Sequence, residues 1–194
     1  MQSHFKKHTG GFSLIELLVV IAIMGIIASI SLFNFNGFNS ELALTNLAYE
    51  VALDIREAQV FGGGVKVSGT AGSASFDKAY GVYFDTNTPS QFISFVDTND
   101  NRLYDSDEST AVHTLQRNNK ISSICRIVNN SNPCVGNGEP FVHITFLRPS
   151  LDARVEFSSS DPAYKGVFIK LQAPDGKQKG IRIEKTGQIS IENI

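Results

Sequence analysis

The densest group of potential metal ligands in the sequence is the strip DTNDNRLYDSDE, which runs from Asp97 to Glu108. Its first, third, fifth, ninth and twelfth positions carry side-chain oxygens and its seventh would offer a backbone carbonyl; these residues are Asp97, Asn99, Asn101, Asp105, Glu108 and, at the seventh, Leu103. That spacing is typical of a calcium loop, in which hard oxygen donors surround one cation. Arg102 replaces the usual glycine and no helical pattern flanks the strip, so a solvated turn is the alternative.

Cysteine and histidine offer less chemistry. Cys125 and Cys134 are separated by eight residues and have no histidine nearby, which makes a poor zinc site. If this part of the chain lies outside the cytoplasm, we expect a disulfide that closes a short loop. His113 and His143 fall on predicted strands without a nucleophile motif around them, and an enzyme is the least favoured class of protein.

A carboxylate stands inside an apolar segment near the N-terminus. Residues 1–11 are polar and basic, and residues 12–33 form an apolar run whose single charge is Glu16. As a helix this run is about 33 Å long, enough to cross a hydrocarbon core of about 30 Å. Lys6 and Lys7 before it predict that residues 1–11 stay cytoplasmic. An isolated carboxylate in lipid is costly, so Glu16 is a candidate functional residue.

The segment GGFSLIELLVVIAIMGIIASI resembles the processing and methylation signature of type IV pilins and type II secretion pseudopilins. In that family a prepilin peptidase cuts after the glycine and methylates the new amine. The resemblance implies that Gly11 precedes the cut, that Phe12 becomes the mature N-terminus, and that Glu16 is the acidic fifth residue. A plain signal anchor, the alternative, leaves the position of Glu16 unexplained.

A charge pair would explain why this carboxylate is tolerated. Cleavage creates a positive amine at Phe12, and Glu16 of one subunit would pair with the Phe12 amine of a neighbour in a filament. Pairing offsets the desolvation cost of both groups and fixes the axial register of the subunits. The partners implied are other pilins or pseudopilins, the prepilin peptidase and the inner-membrane assembly platform with its ATPase.

The pattern after residue 33 predicts an amphipathic continuation of the same helix. Apolar residues recur at spacings of three and four: Leu44, Leu47, Ala48, Val51, Ile55 and Ala58. Asn34, Asn36 and Gly37 form a weak point, and Gly62-Gly63-Gly64 is expected to end the helix near residue 61. The predicted divisions are a leader (1–11), a transmembrane and filament-core helix (12–33), its amphipathic half (34–61) and a β-rich head (62–194).

In the head the apolar pattern changes to a period of two. Strands are predicted at residues 80–84, 92–96, 141–146, 153–157, 166–171 and 180–185, with a further one at the end in ISIENI. We therefore expect an α+β protein, with a long N-terminal helix packed on an antiparallel sheet as in the pilin fold. The hairpin AYGVYFDTNTPSQFISFVDTNDNRLYDSDE and the closing segment GIRIEKTGQISI resemble the FimT/GspH group of minor pilins and pseudopilins.

Three functions stay open on the sequence: a minor filament subunit, a major pilin, and a filament-displayed module that captures DNA or a surface. The full chain has a formal net charge of −2, and loss of Lys6 and Lys7 would bring the mature chain to −4. That charge gives no general attraction to DNA. The GRxR motif of some DNA-binding FimT-like pilins corresponds here to residues 187–190, GQIS, which lack both arginines. Lys177, Lys179, Arg182 and Lys185 are the nearby basic residues.

Overall fold

A computed structural model describes residues 11–64, 77–128, 138–159 and 164–194, and for residues 32–38 it describes the backbone alone. One α-helix, α1, runs from Leu14 to Gly63. The backbone therefore stays helical through the predicted weak point at residues 34–37. The chain divides into two compact units, which we call the N-terminal unit (Met1–Asn39) and the sheet unit (Ser40–Ile194).

Beside its part of α1, the described residues of the sheet unit form two antiparallel sheets. Its described strands are Ala79–Asp85 (β1), Gln91–Asp97 (β2), Ser109–Thr114 (β3), Lys120–Ile127 (β4), Phe141–Phe146 (β5), Ala153–Phe157 (β6), Gly166–Gln172 (β7), Gln178–Glu184 (β8) and Ile189–Asn193 (β9). The first sheet has the order β3-β2-β1-β5-β6, and the second has the order β4-β7-β8-β9. A short 3₁₀ turn, Gln116–Asn118, connects β3 of one sheet to β4 of the other.

One hydrophobic core joins both sheets to the helix. The apolar stripe predicted on α1 is buried in it, with Leu44, Ala48, Val51 and Ile55 fully inaccessible to solvent. Alternate residues of β1, β5, β7 and β8 supply much of the rest, because one face of each strand points to the core, and residues of β2, β4 and β6 complete it. This arrangement confirms the predicted α+β class, in which an N-terminal apolar helix continues into a helix packed on antiparallel sheets.

The seven strands whose bounds the sequence pattern predicted are all present. The pattern gave no bounds for β3, although His113 was expected on a strand, and it did not predict β4. Every residue of β3 except His113 is exposed, so β3 has no buried face to produce an alternating pattern. In β4 the pairing register shifts between Ile121 and Ser123, which breaks the period of two. Sequence periodicity marks strands with one regular buried face, and neither of these has one.

The glycines at the end of α1 have a packing role besides ending the helix. A Cβ on Gly62 would overlap the carbonyl oxygen of Phe146, the last residue of β5. The Gly62 carbonyl in turn accepts a hydrogen bond from the Arg148 N–H at 2.9 Å. Glycine therefore allows the end of α1 to lie directly against the end of β5, and the Gly64 N–H closes the last turn on the Val60 carbonyl at 2.8 Å.

Candidate functional site

The predicted processing site lies immediately before α1. Gly11, Phe12 and Ser13 are outside the helix and exposed, with the Phe12 side chain 82% accessible. The Ser13 carbonyl accepts hydrogen bonds from the N–H groups of Glu16 (3.0 Å) and Leu17 (3.2 Å), which sets the helix start. Exposed, non-helical backbone is the kind of segment that a peptidase can bind and cut. The roles of Gly11 and Phe12 stay predictions, and the preceding leader lies outside the described residues.

Glu16 lies in the first turn of α1. The helix dipole favours a carboxylate at that end, since the first N–H groups have no helical partners. Phe12 is four residues earlier and lies just outside the helix. The pairing of a Phe12 amine with the Glu16 carboxylate of a neighbour stays a prediction.

The segment that follows Glu16 is long and apolar enough to cross a membrane. The window Leu14–Ser31 has a mean hydropathy of 2.6, and none of it is buried within the structure. It would span roughly 27 Å as a helix. Its serine hydroxyls are satisfied within the helix, because Ser29 donates to the Gly25 carbonyl (2.8 Å) and Ser31 to the Ile27 carbonyl (3.1 Å). These serines therefore require no water.

The candidate calcium loop follows β2 and turns sharply at two left-handed residues. Asp100 and Arg102 have φ of 62° and 66°. Asp97 is 1% exposed and its carboxylate accepts the N–H groups of Asn101 (3.1 Å) and Arg102 (2.9 Å). The turn that glycine usually makes in calcium loops is thus made by Arg102, so the absence of glycine does not prevent the required backbone path.

Several side-chain oxygens of the candidate calcium loop have hydrogen-bond partners within it. Glu108 is 4% exposed, and its carboxylate accepts the Thr98 N–H and hydroxyl at 2.7 and 2.8 Å. The side-chain amides of Asn99 and Asn101 both donate to Asp105 Oδ2 at 2.8 Å. No group of three or more His, Cys, Asp or Glu side chains converges as a metal site in the part of the chain that the structure describes. Calcium binding stays a prediction.

Saturating calcium is expected to raise the melting temperature of the full chain in detergent micelles. A ligand at a hundred times its dissociation constant stabilises by about 2.7 kcal/mol, and 1 kcal/mol shifts the melting of a domain this size by roughly 2–4 °C. Asp105→Asn should remove the rise because it removes a ligand charge, whereas Asp152→Asn, an exposed aspartate outside the loop, should keep it. No rise in the unmodified chain would exclude the site.

Of the two cysteines in the predicted disulfide, the structure describes only Cys125. Cys125 lies on β4, is 6% exposed, and packs with Ile127 and Phe168 in a small cluster separate from the main core. Cys134 lies outside the described residues. The described part of the chain contains no free cysteine. The pairing of Cys125 with Cys134 stays a prediction.

The basic residues near the C-terminus are held by neighbouring side chains. Arg182 donates to Glu192, Lys179 donates to Asn193, and Lys177 lies 3.4 Å from Glu41. The Lys185 ammonium lies 3.8 Å from the centre of the Tyr164 ring. Each of these cations thus has a contact within the chain, with which a phosphate group would have to compete.

Gly187, the first residue of the segment compared with GRxR, has a structural role. Its φ is 81°, and a Cβ there would overlap both the Leu151 carbonyl and the Gln59 side chain. Gln59 of α1 is 3% exposed and donates to the carbonyls of Leu151 (2.8 Å) and Gly187 (2.9 Å). Glycine at this position therefore lets the β8–β9 turn reach the helix.

His143 links the calcium loop to the first sheet. It lies on β5, is 6% exposed, and its Nδ1 accepts the Tyr104 N–H at 2.8 Å. Burial lowers the pKa of His143 to about 4, with Asp105 opposing the shift. The imidazole is therefore neutral at physiological pH, as an acceptor of a backbone hydrogen bond must be. The sequence pattern placed His143 on a strand but could not show this contact.

Three side chains that the sequence did not connect meet between α1 and the first sheet. The Asp54 Oδ2 lies 3.2 Å from His113 Nδ1, and His113 Nε2 lies 3.0 Å from Ser94 Oγ. Burial raises the pKa of Asp54, and the neighbouring His113 partly offsets that effect. The His113 ring stacks on Phe92 with 4.6 Å between ring centres. Residues separated by up to 59 positions thus form one series of polar contacts.

Comparison with known proteins finds one match. The family model described as the prokaryotic N-terminal methylation motif matches residues 6–32. The match covers residues 6–11 of the predicted leader, the proposed cut site, Glu16 and most of the apolar run. No curated protein and no solved structure matches the chain. The chain is therefore pilin-like in carrying the methylation motif and in having an apolar N-terminal helix that continues onto antiparallel sheets.

Proposed function

We propose that this chain is a structural subunit of a type IV pilus or type II secretion filament, cut after Gly11 and N-methylated at Phe12. The match of residues 6–32 to the methylation motif carries this proposal. Two structural features support it: the exposed, non-helical backbone at residues 11–13, and the membrane-length window Leu14–Ser31, which is not buried by the rest of the chain.

An exposed apolar stripe on the helix of the sheet unit supports assembly with other subunits. Leu42, Tyr49, Leu53 and Val60 are each at least half exposed, although α1 here is an amphipathic helix on a folded domain. Their spacings of seven, four and seven residues place them within an arc of about 40° at 100° per residue. This arc is opposite the buried stripe of Leu44, Val51 and Ile55.

A helix that is apolar on two opposite faces has a second partner to bury against. Charged residues would be expected opposite the core if this face met only water. In a filament, the outer stripe of one subunit would lie against the helices of its neighbours, and the N-terminal helices would form the apolar centre. The Glu16 carboxylate would then meet the Phe12 amine of an adjacent subunit in that centre.

The subunit would enter the inner membrane with its sheet unit outside the cytoplasm and then move into a periplasmic or surface filament. Its partners would be the prepilin peptidase, the assembly platform and other pilins or pseudopilins. Resemblance of the β1–β2 hairpin and of the closing segment to the FimT/GspH group favours a minor, initiating or capping subunit over a major pilin.

Mass spectrometry of filaments purified from the source cells tests this proposal. We expect a chain that begins at Phe12, carries a methyl group on the N-terminal amine, and is present at a small fraction of the major subunit. A functional protein that retains residues 1–11 would contradict the proposal. A dominant rather than rare chain would identify a major pilin, and absence from every filament fraction would exclude the filament role.

A further inference from the structure

A cavity of about 530 Å³ lies within the sheet unit beside α1, β2 and β3. Asp54, Ser94 and His113 all line it. Their positions follow from the fold: Ser94 pairs directly with Ala111, so His113 is the diagonal cross-strand neighbour two residues further along β3. Both side chains point toward the helix, which presents Asp54 from above the sheet.

The contacts of the His113 ring favour one placement of its proton. Asp54 Oδ2 lies 3.2 Å from His113 Nδ1, and because a carboxylate can only accept, this contact favours the tautomer that carries the proton on Nδ1. In a neutral imidazole the other nitrogen, Nε2, is then an acceptor. In that tautomer the Ser94 hydroxyl, 3.0 Å from Nε2, donates to it. A hydroxyl that donates to an imidazole, with that imidazole oriented by a carboxylate, is the arrangement of an activated serine nucleophile.

The walls of the cavity indicate which molecules could reach Ser94. Apolar side chains line one part of it, namely Ala58, Phe61, Tyr80, Phe95 and Val96. Glu57 and Asp107 add carboxylates to the lining. The volume is in the usual range for small-molecule sites. Negative charge beside apolar walls favours a neutral or cationic ligand with an apolar part and disfavours an anionic one.

We infer that Ser94 is a nucleophilic serine that takes an acyl group from small neutral or cationic esters. The Ser94 Oγ–H proton passes to His113 Nε2 while Oγ bonds to the ester carbonyl carbon, whose π electrons move to the carbonyl oxygen. Collapse of this adduct breaks the bond to the leaving alkoxide, which takes the proton from Nε2. Water then attacks the acyl-serine by the same proton transfers, releasing a carboxylic acid and free Ser94. This activity is separate from the filament role and does not depend on it.

A fluorophosphonate probe tests the assignment on the full chain in detergent micelles. Ser94 Oγ would displace fluoride from phosphorus, and peptide mass spectrometry would locate the adduct. We expect labelling at Ser94, no adduct in Ser94→Ala, and about a hundredfold slower labelling in His113→Gln, since a positioned general base contributes 10²–10⁴-fold. Ser109→Ala is the matched control, because Ser109 lines the same cavity and is not part of the Asp54–His113–Ser94 chain.

Two further measurements distinguish an activated Ser94 from a serine that is merely exposed to the probe. Unfolding the unmodified chain in urea should abolish labelling. This measurement does not depend on whether the His113→Gln variant folds. A neutral p-nitrophenyl ester should release p-nitrophenol faster than an anionic analogue of the same length. Absence of an adduct on folded protein, or equal labelling of Ser94 and Ser109, would overturn the assignment, whatever the outcome for filament assembly.

Discussion

Replacing Glu16 by alanine is expected to prevent incorporation of the subunit into filaments while cleavage after Gly11 continues. Without Glu16, the methylated amine of a neighbouring Phe12 would be left unpaired in an apolar surrounding. Removing one partner of a buried ion pair costs about 3–5 kcal/mol, and 1.4 kcal/mol is a factor of ten. The expected loss of incorporation is therefore roughly 10²-fold to 4 × 10³-fold, measured by quantitative mass spectrometry of sheared filaments.

Glu41→Ala is the control for this experiment. Glu41 is also on α1, but its side chain is 59% exposed and lies near Lys177, and an exposed ion pair contributes about 0–1 kcal/mol. We expect near-normal incorporation of that variant. The N-terminus of both variants in the membrane fraction should be Phe12, which shows that processing is intact. Normal incorporation of Glu16→Ala would refute the charge pair and leave the apolar stripe as the remaining basis for assembly.

Acid is expected to destabilise the sheet unit through His143. Its pKa is about 4 in the folded chain, against 6.5 for an unperturbed histidine, so folding favours the neutral imidazole. The stabilisation is complete above pH 6.5 and is lost as the pH falls from 6.5 toward 4, where the unfolded chain binds a proton that the folded chain does not. At 1.36 kcal/mol per pH unit the loss is on the order of 3 kcal/mol.

The test is the free energy of unfolding of the full chain in micelles, measured with urea at pH 7, 5 and 4. His143→Gln is the matched variant: glutamine does not titrate, and its oxygen can accept the Tyr104 N–H. The variant should lose less stability than the unmodified chain over this interval, by the order of magnitude given above. Parallel losses in both proteins would show that other groups cause the acid sensitivity.

Two of the candidate sites could be predicted from short, continuous stretches of the sequence. The apolar run, the isolated Glu16 and the glycine before Phe12 identify the methylation motif without any structure, since all the relevant residues lie within about 20 positions. The candidate calcium loop was also indicated by local spacing. Its backbone path was not, because left-handed φ at Asp100 and Arg102 is uncommon for residues other than glycine.

The Asp54–His113–Ser94 chain could not have been predicted. Its members come from α1, β3 and β2, and the distance of each contact depends on the register of the β2–β3 pair and on which face of α1 meets the sheet. A sequence motif describes fixed spacings along the polypeptide, whereas the contacts of Asp54, His113 and Ser94 are defined by distances in the folded structure. A serine, a histidine and an aspartate far apart in the sequence occur in most proteins.

The sequence by itself determined the helix, its buried stripe and the strands with one regular buried face, because hydrophobic periodicity is a local consequence of helix and strand geometry. Tertiary structure decided that the strands form two sheets and that β1 pairs with β5, since pairing partners distant in sequence are selected by the shared core. It also decided that β3, exposed along nearly its whole length, becomes an edge strand. Where a residue's partner lies far along the chain, packing fixes the contact.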